Sequence, residues 1–394
     1  MRVVLCAHLI DTTYVVAGPL IDGKYELVEV AGEGGMATVF RAVVRGAAGF
    51  QRTVAIKRIR PEYRSVRHYI DMFIEEARVG SELAHPNIVQ VHDFCSSDGA
   101  YYLIMEWVDG VDLGTLQGTL ARAGKHLSWP LVLAVSIGTL RGLGAAHERR
   151  TANGELAPVI HRDVSPQNIL IGASGVVKLT DFGLSRARDR ANSLTVPGTV
   201  KGKLSYLAPE VTLGKANSVA SDLFSMGVVM WEVLCGQRLF DARNDLEVFK
   251  KIRACVVPPV RTFRPDAPEA LGAVISKATS LAPKDRYASA SEMVADLVRV
   301  AAAEGAAADV EDLLGRSVQE VRTLLAEARQ RAMGARSVVP AAGPEAAPAS
   351  ASPPASPPAS PPASPSPAVE ESVTIEISTA DLTVEPLSLD KPKR

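Results

Sequence analysis

The first hundred residues arrange their apolar positions in short strand-like runs, with one interruption of helical spacing. Five runs are β-branched, aromatic or alternating, as strands are. They cover residues 25–30, 39–44, 53–59, 88–94 and 101–107. Within residues 66–83 the apolar positions recur at helical spacing, which predicts a helix between the third and fourth strands.

Beyond residue 111 the pattern becomes mostly helical, most clearly over residues 131–147, 221–235 and 290–302. A strand-rich beginning followed by a helical remainder predicts an α+β fold of two lobes with a cleft between them. We expect a small N-lobe over about 22–108 and a larger C-lobe over about 109–303.

Three regions flank these lobes. Residues 1–21 are predicted to be an N-terminal extension, although Arg2 before a short apolar stretch leaves a secretory signal as an alternative. Residues 304–336 place apolar side chains at three- and four-residue steps, which predicts one or two accessory amphipathic helices. Such a helix packs on the lower lobe or, alternatively, binds a protein partner.

The last region, residues 337–394, is rich in alanine, serine and proline and repeats Ala-Ser-Pro-Pro. A segment of this composition buries little apolar surface, so we expect a disordered spacer. An SH3-type ligand, or a docking strand at residues 373–377, would instead make it a partner-binding tail.

Charge, cysteine content and hydropathy narrow the class of protein. A formal net charge of −1 gives no reason to expect a nucleic-acid partner. The four cysteines are scattered without a C-x-x-C pair, which argues against zinc and disulfides and favours a cytoplasmic location. No apolar run approaches the ~18 residues of a membrane span, so none is expected.

A glycine-rich loop and a buried lysine suggest a phosphate site. Gly32 and Gly34 let the backbone approach a polyphosphate closely, and their position between two strands excludes a dinucleotide fold. Lys57 ends an apolar strand, where a charge needs partners. Glu76, 19 positions later on the predicted helix, is the expected ion-pair partner, whereas Glu75 lies about 100° around that helix and should face solvent. An ordinary hairpin and a surface lysine are the alternatives.

Asp163, Asn168 and Asp181 carry the oxygen ligands that hard cations prefer. Asn168 follows Asp163 by five positions and Asp181 follows it by eighteen. Phosphoryl transfer needs positioned charges and metal ligands more than covalent chemistry, so these residues are candidates for that reaction.

Together these motifs resemble the protein kinases, in particular the bacterial eukaryotic-like serine/threonine kinases. The matching stretches are residues 32–39, 54–57, 161–168, 181–183 and 208–210, and the likeness runs from about 22 to 303. It implies the two-lobed kinase fold, ATP and Mg²⁺ as cofactors, Asp163 as catalytic base, and Asn168 and Asp181 as metal ligands.

The resemblance also implies a nucleotide pocket. Backbone groups of Glu106 and Val108 would bond the adenine edge, Asp112 would reach the ribose, Leu170 would form the floor and Met105 the back. The full expected set is Ala31, Gly32, Gly34, Gly35, Ala37, Val39, Ala55, Lys57, Glu76, Glu106, Val108, Asp112 and Leu170. Ala37 stands where the family has a third glycine.

Outside the pocket, the resemblance implies two structural contacts and shows two departures. Glu210 and Arg286 match a buried ion pair, and Asp222 matches the aspartate that anchors the catalytic loop. Ser165 stands where the family usually has lysine, and Lys203 where it has threonine. Our hypothesis is a coupled swap, with Lys203 as a catalytic cation; the alternative is a weakened site.

The predicted function is therefore phosphorylation of serine and threonine side chains in protein substrates. Autophosphorylation is expected at Thr195 or Thr199, between Asp181 and Glu210. Three alternatives stay open: a pseudokinase scaffold, a small-molecule kinase of similar fold, and a tyrosine kinase.

Overall fold

The computed structural model describes residues 20–182, 204–306 and 309–336, and these described residues belong to one compact unit. The expectations for the tail at 337–394, for residues 1–19 of the extension, for Lys203, and for Thr195 and Thr199 lie outside these ranges. Within them, a strand-rich lobe precedes a helical one, as the two-lobed prediction requires.

The N-lobe is an antiparallel sheet of five strands with a single helix packed against it. Its spatial order is β1-β2-β3-β5-β4. The strands are β1 Tyr25–Glu33, β2 Ala37–Arg45, β3 Gln51–Ile59, β4 Val91–Ser97 and β5 Ala100–Glu106. Helix α1, Arg67–Ser81, connects β3 to β4 and buries Phe73, Glu76, Ala77 and Gly80.

The prediction for the fourth strand was wrong by three residues at each end. At its beginning, Ile88 and Val89 pair outside the sheet. Ile88 forms an isolated parallel bridge with Leu179 of the C-lobe, and Val89 N–H donates to the Leu179 carbonyl at 2.9 Å. These apolar residues therefore join the two lobes, and β4 begins only at Val91.

A second, three-stranded sheet lies at the start of the C-lobe and was missed by the sequence pattern. It consists of β6 Gly110–Asp112, β7 Ile169–Gly172 and β8 Val177–Leu179. Strand β7 pairs antiparallel with both neighbours. The sheet carries Asp112 and Leu170 next to each other, since these two residues are partners in the β6–β7 register.

Helices build the rest of the C-lobe around one apolar core. They are α2 Leu113–Arg122, α3 Trp129–His147, α4 Pro209–Thr212, α5 Val219–Cys235, α6 Asp245–Ala254, α7 Glu269–Ala278, α8 Ala290–Ala303 and α9 Val310–Arg336. Helix α5 is buried along most of its length, with Ser218 as N-cap and Gly236 in the left-handed conformation that ends it.

Helix α3 is long and apolar enough to cross a membrane, although no span was expected from the sequence. Two thirds of the apolar stretch is buried inside the protein (67%). The same composition therefore serves a core position here, between α5 and α8, which both pack against α3.

The accessory segment forms a single helix, α9, that packs on the C-lobe. Leu314, Val318 and Val321 are fully buried against it. Of the two alternatives for this amphipathic face, packing on the lower lobe is confirmed, because these apolar side chains are already covered.

Candidate functional site

The glycine-rich loop joins β1 to β2, so its context is strand–turn–strand, as predicted. Gly32 pairs with Val39 across the two strands, and Gly34 N–H donates to the Ala37 carbonyl at 2.8 Å. Gly35 lies at the turn between them. The loop therefore presents backbone, with few side chains, at the end of the sheet that also carries Lys57.

The Lys57 ammonium lies between two carboxylates at the lobe boundary. Its Nζ is 2.6 Å from Glu76 Oε1, 2.9 Å from Glu76 Oε2 and 3.0 Å from Asp181 Oδ1. The predicted ion pair with Glu76 is thus confirmed. Glu75 is exposed and pairs with Arg78 on the surface of α1, as the helical geometry predicted.

Burial and mutual charge set the protonation of this cluster. Burial raises the pKa of Glu76 to about 7; Lys57 opposes this shift and Asp181 adds to it. Burial also disfavours the Lys57 ammonium, but the charges of Asp181 and Glu76 outweigh it and raise its pKa above the ordinary value. The lysine is therefore a fixed cation, held near the place where phosphates would lie.

Asp163 and Asn168 meet at the catalytic loop. Asn168 Nδ2 donates to the Asp163 backbone oxygen at 2.8 Å and to Asp163 Oδ2 at 3.1 Å. Thr180 N–H donates to the Asn168 carbonyl at 3.0 Å, which brings the segment that carries Asp181 alongside. Residues far apart in sequence thus lie together in one cluster.

Two oxygen atoms of this cluster fit a hard cation. Asn168 Oδ1 and Asp181 Oδ2 are buried, and neither accepts a hydrogen bond from the part of the chain that the structure describes. A buried acceptor without a donor is costly, and a bound divalent cation would satisfy both oxygens. Two protein ligands leave the remaining coordination positions for phosphate oxygens and water.

The backbone around these residues is strained and specifically held. Arg162 and Asp181 have left-handed φ values of 68° and 63°. Such conformations cost about 1–3 kcal/mol each for a residue other than glycine and cluster at functional sites. Asp222 holds the first of them, because its carboxylate accepts from His161 N–H at 2.7 Å and from Arg162 N–H at 2.9 Å.

His161 is a positioning residue that lies in the matched stretch 161–168 but is not singled out by the sequence pattern. Burial lowers its pKa despite the nearby Asp222 and Asp163 carboxylates, so the ring is neutral. Nε2 then donates to the Thr180 carbonyl at 2.9 Å, while Nδ1 accepts from Asp163 N–H at 3.2 Å. The Phe182 ring packs against it at 4.7 Å between centroids. Its position two residues before Asp163 was the sequence feature that could have indicated this role.

Several of the predicted nucleotide-pocket residues share one apolar cluster, which we call the apolar pocket. Its members come from both lobes and the segment between them, and they form one buried cluster. Of the predicted pocket residues it contains Ala31, Val39, Ala55, Val108 and Leu170, with Met105 beside them. A flat aromatic base is the kind of group that such a surface accommodates.

Two polar residues of the expected pocket already have partners. Asp112 is buried and caps α2, accepting from Thr115 N–H at 2.9 Å. Glu106 Oε2 pairs with Lys178 Nζ at 3.0 Å. A ribose contact from Asp112 would therefore compete with its capping bond, whereas Glu106 was predicted to act through its backbone.

Ser165, the departure from the kinase pattern, is buried beside the catalytic loop. Its Oγ makes no hydrogen bond within residues 20–182, 204–306 and 309–336. The proposed compensating cation, Lys203, lies outside those residues, so the coupled swap stays a hypothesis.

The expected ion pair of the lower lobe is present. Arg286 Nη1 and Nη2 donate to the two oxygens of Glu210 at 2.7 and 2.8 Å, in a buried bidentate pair. The Arg286 guanidinium also packs over the Phe224 ring at 4.7 Å. The pair joins Arg286, which lies in the loop before α8, to Glu210 of α4. In the sequence, Glu210 lies at the end of the segment that follows Asp181.

The amino-acid sequence is similar to those of known proteins. A family model described as protein kinase domain matches residues 25–298. The chain is 41% identical over 268 residues to the tyrosine-protein kinase MasK of Myxococcus xanthus, and 33% identical over 282 residues to the serine/threonine-protein kinase PrkC of Bacillus subtilis. These alignments cover 68% and 71% of this chain and 41% of each relative. The chain thus spans well under half the length of both.

The solved kinase domain of PknI from Mycobacterium tuberculosis has a similar structure. It aligns with a TM-score of 0.54 and 26% sequence identity, over 74% of this chain and 100% of that one. The similarity therefore includes the whole of that solved domain.

Proposed function

The chain belongs to the protein kinase family, and from this premise we propose that it transfers the γ-phosphoryl group of ATP to serine or threonine hydroxyls of proteins. One observation carries the proposal: Lys57, Asp163, Asn168 and Asp181 converge, and two acceptor oxygens among them have no donor in the described ranges. A scaffold that only binds nucleotide has no need of Asp163, so catalysis is the better reading.

ATP would lie between the glycine loop and the apolar pocket, with Mg²⁺ held by Asn168 Oδ1 and Asp181 Oδ2. When bound, the cation would neutralise phosphate charge. Lys57 supplies a second, fixed positive charge to the phosphates, and Glu76 orients it.

Asp163 acts on the acceptor hydroxyl. It orients the hydroxyl and accepts its proton as the oxygen bonds to the γ-phosphorus. The bond from that phosphorus to the β–γ bridging oxygen breaks, and ADP carries the electron pair away. Asn168 Nδ2 holds the Asp163 carboxylate in place from 3.1 Å.

The acceptor class has a second candidate. MasK is named a tyrosine-protein kinase and is more identical to this chain than PrkC is. In addition, Ser165 stands at the position where serine/threonine kinases usually have lysine. Serine or threonine remains the proposal, because the catalytic loop does not match the usual tyrosine-kinase sequence.

The test is incubation of the purified full chain with labelled ATP, Mg²⁺ and a generic basic protein, beside Asp163→Ala. Labelled phosphate should be incorporated into protein only in the wild-type reaction. After acid hydrolysis it should be found on serine or threonine. Label found on tyrosine alone would favour the second candidate. Equal labelling by Asp163→Ala, or none by either protein, would refute the proposed transfer.

We also propose a reducing compartment for the domain. Cys95, Cys235 and Cys255 are free thiols, and burial raises the pKa of Cys235 to about 12, which keeps it protonated and unreactive. Cell fractionation with an antibody to the chain would test a cytoplasmic location.

A further inference from the structure

Helix α9 lies beyond the residues that the family model matches, yet it is built into the lobe that holds the catalytic loop. The matched span ends at residue 298, whereas α9 covers Val310–Arg336. It packs on α2, α3, β6 and β7 through buried Leu314, Val318 and Val321. A surface helix with three fully buried apolar residues is a fixed part of its lobe.

The backbone of α9 approaches the β7–β8 turn too closely for side chains at two glycines. A Cβ added at Gly175 in the turn would lie 2.0 Å from the Glu311 carbonyl oxygen. A Cβ added at Gly315 in the helix would lie 2.6 Å from the Ala173 carbonyl oxygen. Both contacts involve backbone, which cannot move aside as a side chain does, so helix and turn interlock.

The same turn is bonded to the segment that connects the two lobes. Ala173 N–H donates to the Asp109 carbonyl at 2.8 Å. Arg322 of α9 contacts the same residue, with 3.1 Å between Nη1 and Asp109 Oδ1. Asp109 directly follows Val108, and β7 carries Leu170. The α9 contacts therefore reach Val108 through Asp109, and they reach Leu170 through strand β7.

We propose that α9 is a positioning element of the nucleotide site, with Gly315 and Arg322 as positioning residues. Docked, the helix fixes Asp109 and the β7–β8 turn, so that Val108 and Leu170 keep the positions that a base requires. If α9 undocks, fewer molecules have a formed pocket. The apparent Kd for nucleotide then equals the intrinsic Kd divided by the fraction of molecules with a formed pocket. This inference rests on the proposed function, because it assumes that the pocket binds nucleotide.

If α9 only stabilised the lobe, undocking it would lower the unfolding temperature and leave the nucleotide affinity of the folded protein unchanged. The two roles therefore separate in a binding measurement made well below the unfolding transition. Gly315→Ala is the informative variant, because alanine raises helix propensity while its Cβ meets the Ala173 backbone. Gly272→Ala in α7 is its matched control, since it is a helical glycine with open space.

The probe is a fluorescent ADP analogue with Mg²⁺, titrated into the full chain and each variant. Gly315→Ala should raise Kd by about fivefold or more, as expected if about one fifth of molecules keep the competent pocket, with kcat at saturating ATP little changed. Arg322→Ala should raise Kd by a smaller factor and Arg322→Lys should restore it. Gly272→Ala and the exposed Arg331→Ala should match the wild type.

Hydrogen exchange on the wild-type protein supplies a test that needs no variant. Coupling is reciprocal, so the ADP analogue should slow amide exchange in residues 314–322. Unchanged exchange there, or wild-type Kd for Gly315→Ala, overturns the inference while leaving the proposed function intact. A wild-type protein that does not bind the analogue overturns the proposed function instead.

Discussion

Asp222 holds Arg162 in a left-handed backbone conformation: its Oδ1 accepts from Arg162 N–H at 2.9 Å, and φ at Arg162 is 68°. The other carboxylate oxygen, Oδ2, accepts from His161 N–H at 2.7 Å and from His147 Nε2 at 2.8 Å. One buried side chain thus receives three donors and fixes the backbone immediately before Asp163.

Asp222→Asn tests this anchor. An amide offers one acceptor oxygen, so at least one of the three donors would face an NH₂ group, at a cost of about 1–3 kcal/mol in unfolding free energy. We expect kcat to fall more than KM for ATP rises, because Asp163 is displaced while the apolar pocket is not. Urea denaturation and steady-state kinetics measure the two effects.

Asp266→Asn is the control, since its carboxylate is exposed and pairs with Arg264 on the surface. It should leave stability and kcat near the wild type. An Asp222→Asn protein with unchanged kcat would show that the anchor is dispensable for catalysis.

The raised pKa of Glu76, about 7, predicts that nucleotide affinity depends on pH. Part of the rise comes from the charge of Asp181, so neutralising Asp181 with Mg²⁺ lowers the pKa of Glu76. Binding then releases a proton, and affinity increases as pH rises. Affinity for Mg-ADP should therefore be higher at pH 8 than at pH 6, by at most about tenfold for release of one proton from a group with a pKa of about 7.

Glu76→Gln removes the titrating group, so the pH dependence should shrink to what the nucleotide itself contributes. Fluorescence titrations of both proteins at pH 6, 7 and 8 with the same analogue give the comparison. Parallel curves for the two proteins would contradict the assignment.

The pair of Arg286 and Glu210 predicts unequal costs for its two halves. Removing one member of a buried ion pair costs about 3–5 kcal/mol, because the other charge stays buried. Arg286 also donates to the carbonyls of Ser280, Ala220 and Leu281, at 2.8, 3.1 and 3.0 Å. Arg286→Ala should therefore destabilise more than Glu210→Ala does.

Denaturation of both single variants and the double variant completes this cycle. The double should cost less than the sum of the singles, because it leaves no lone buried charge. Arg331→Ala, which breaks an exposed pair with Glu327, is the control and should change stability little. Strict additivity would mean that the two side chains do not interact.

The sequence pattern predicted most of the larger elements because their apolar faces are local and periodic. Residues 221–235 were predicted as a helix, and α5 covers Val219–Cys235. The strands β6, β7 and β8 were missed, because three or four residues contain too little alternation to show a period. Residues 88 and 89 were predicted as strand and instead bridge the lobes, because they pair with Leu179, about ninety positions away in the sequence.

The candidate site was likewise predictable where its contacts are local and hidden where they join distant residues. The Lys57–Glu76 pair was predictable, since a charge at the end of an apolar strand needs a partner on the next helix. The contact of Lys57 with Asp181 joins residues 124 positions apart, and no local pattern signals it. The close approach of Gly315 to Ala173 was equally hidden, because it depends on how a helix and a turn meet in three dimensions.

Autophosphorylation is expected between Asp181 and Glu210, where Thr195 and Thr199 lie in the sequence. A phosphate there would pair with arginine and order the segment. Intact-mass comparison of the wild type with Asp163→Asn should show extra phosphate on the wild type only, and Thr195→Ala with Thr199→Ala should remove it. Equal phosphate on wild type and Asp163→Asn would refute self-modification.

Ser165 stands where the family usually has lysine. Ser165 Oγ is buried and makes no hydrogen bond with any described residue, so Ser165→Ala should change the rate of peptide phosphorylation little. If Lys203 supplies the cation, Lys203→Ala should lower kcat by about 10²-fold, as removal of one charged transition-state contact does.

The matched control is Lys215→Ala, since Lys215 is exposed. Ser165→Lys in the Lys203→Ala protein returns an ammonium beside Asp163 and should recover part of the rate. An unchanged rate for Lys203→Ala would rule out the swap, because the site would then work without either cation.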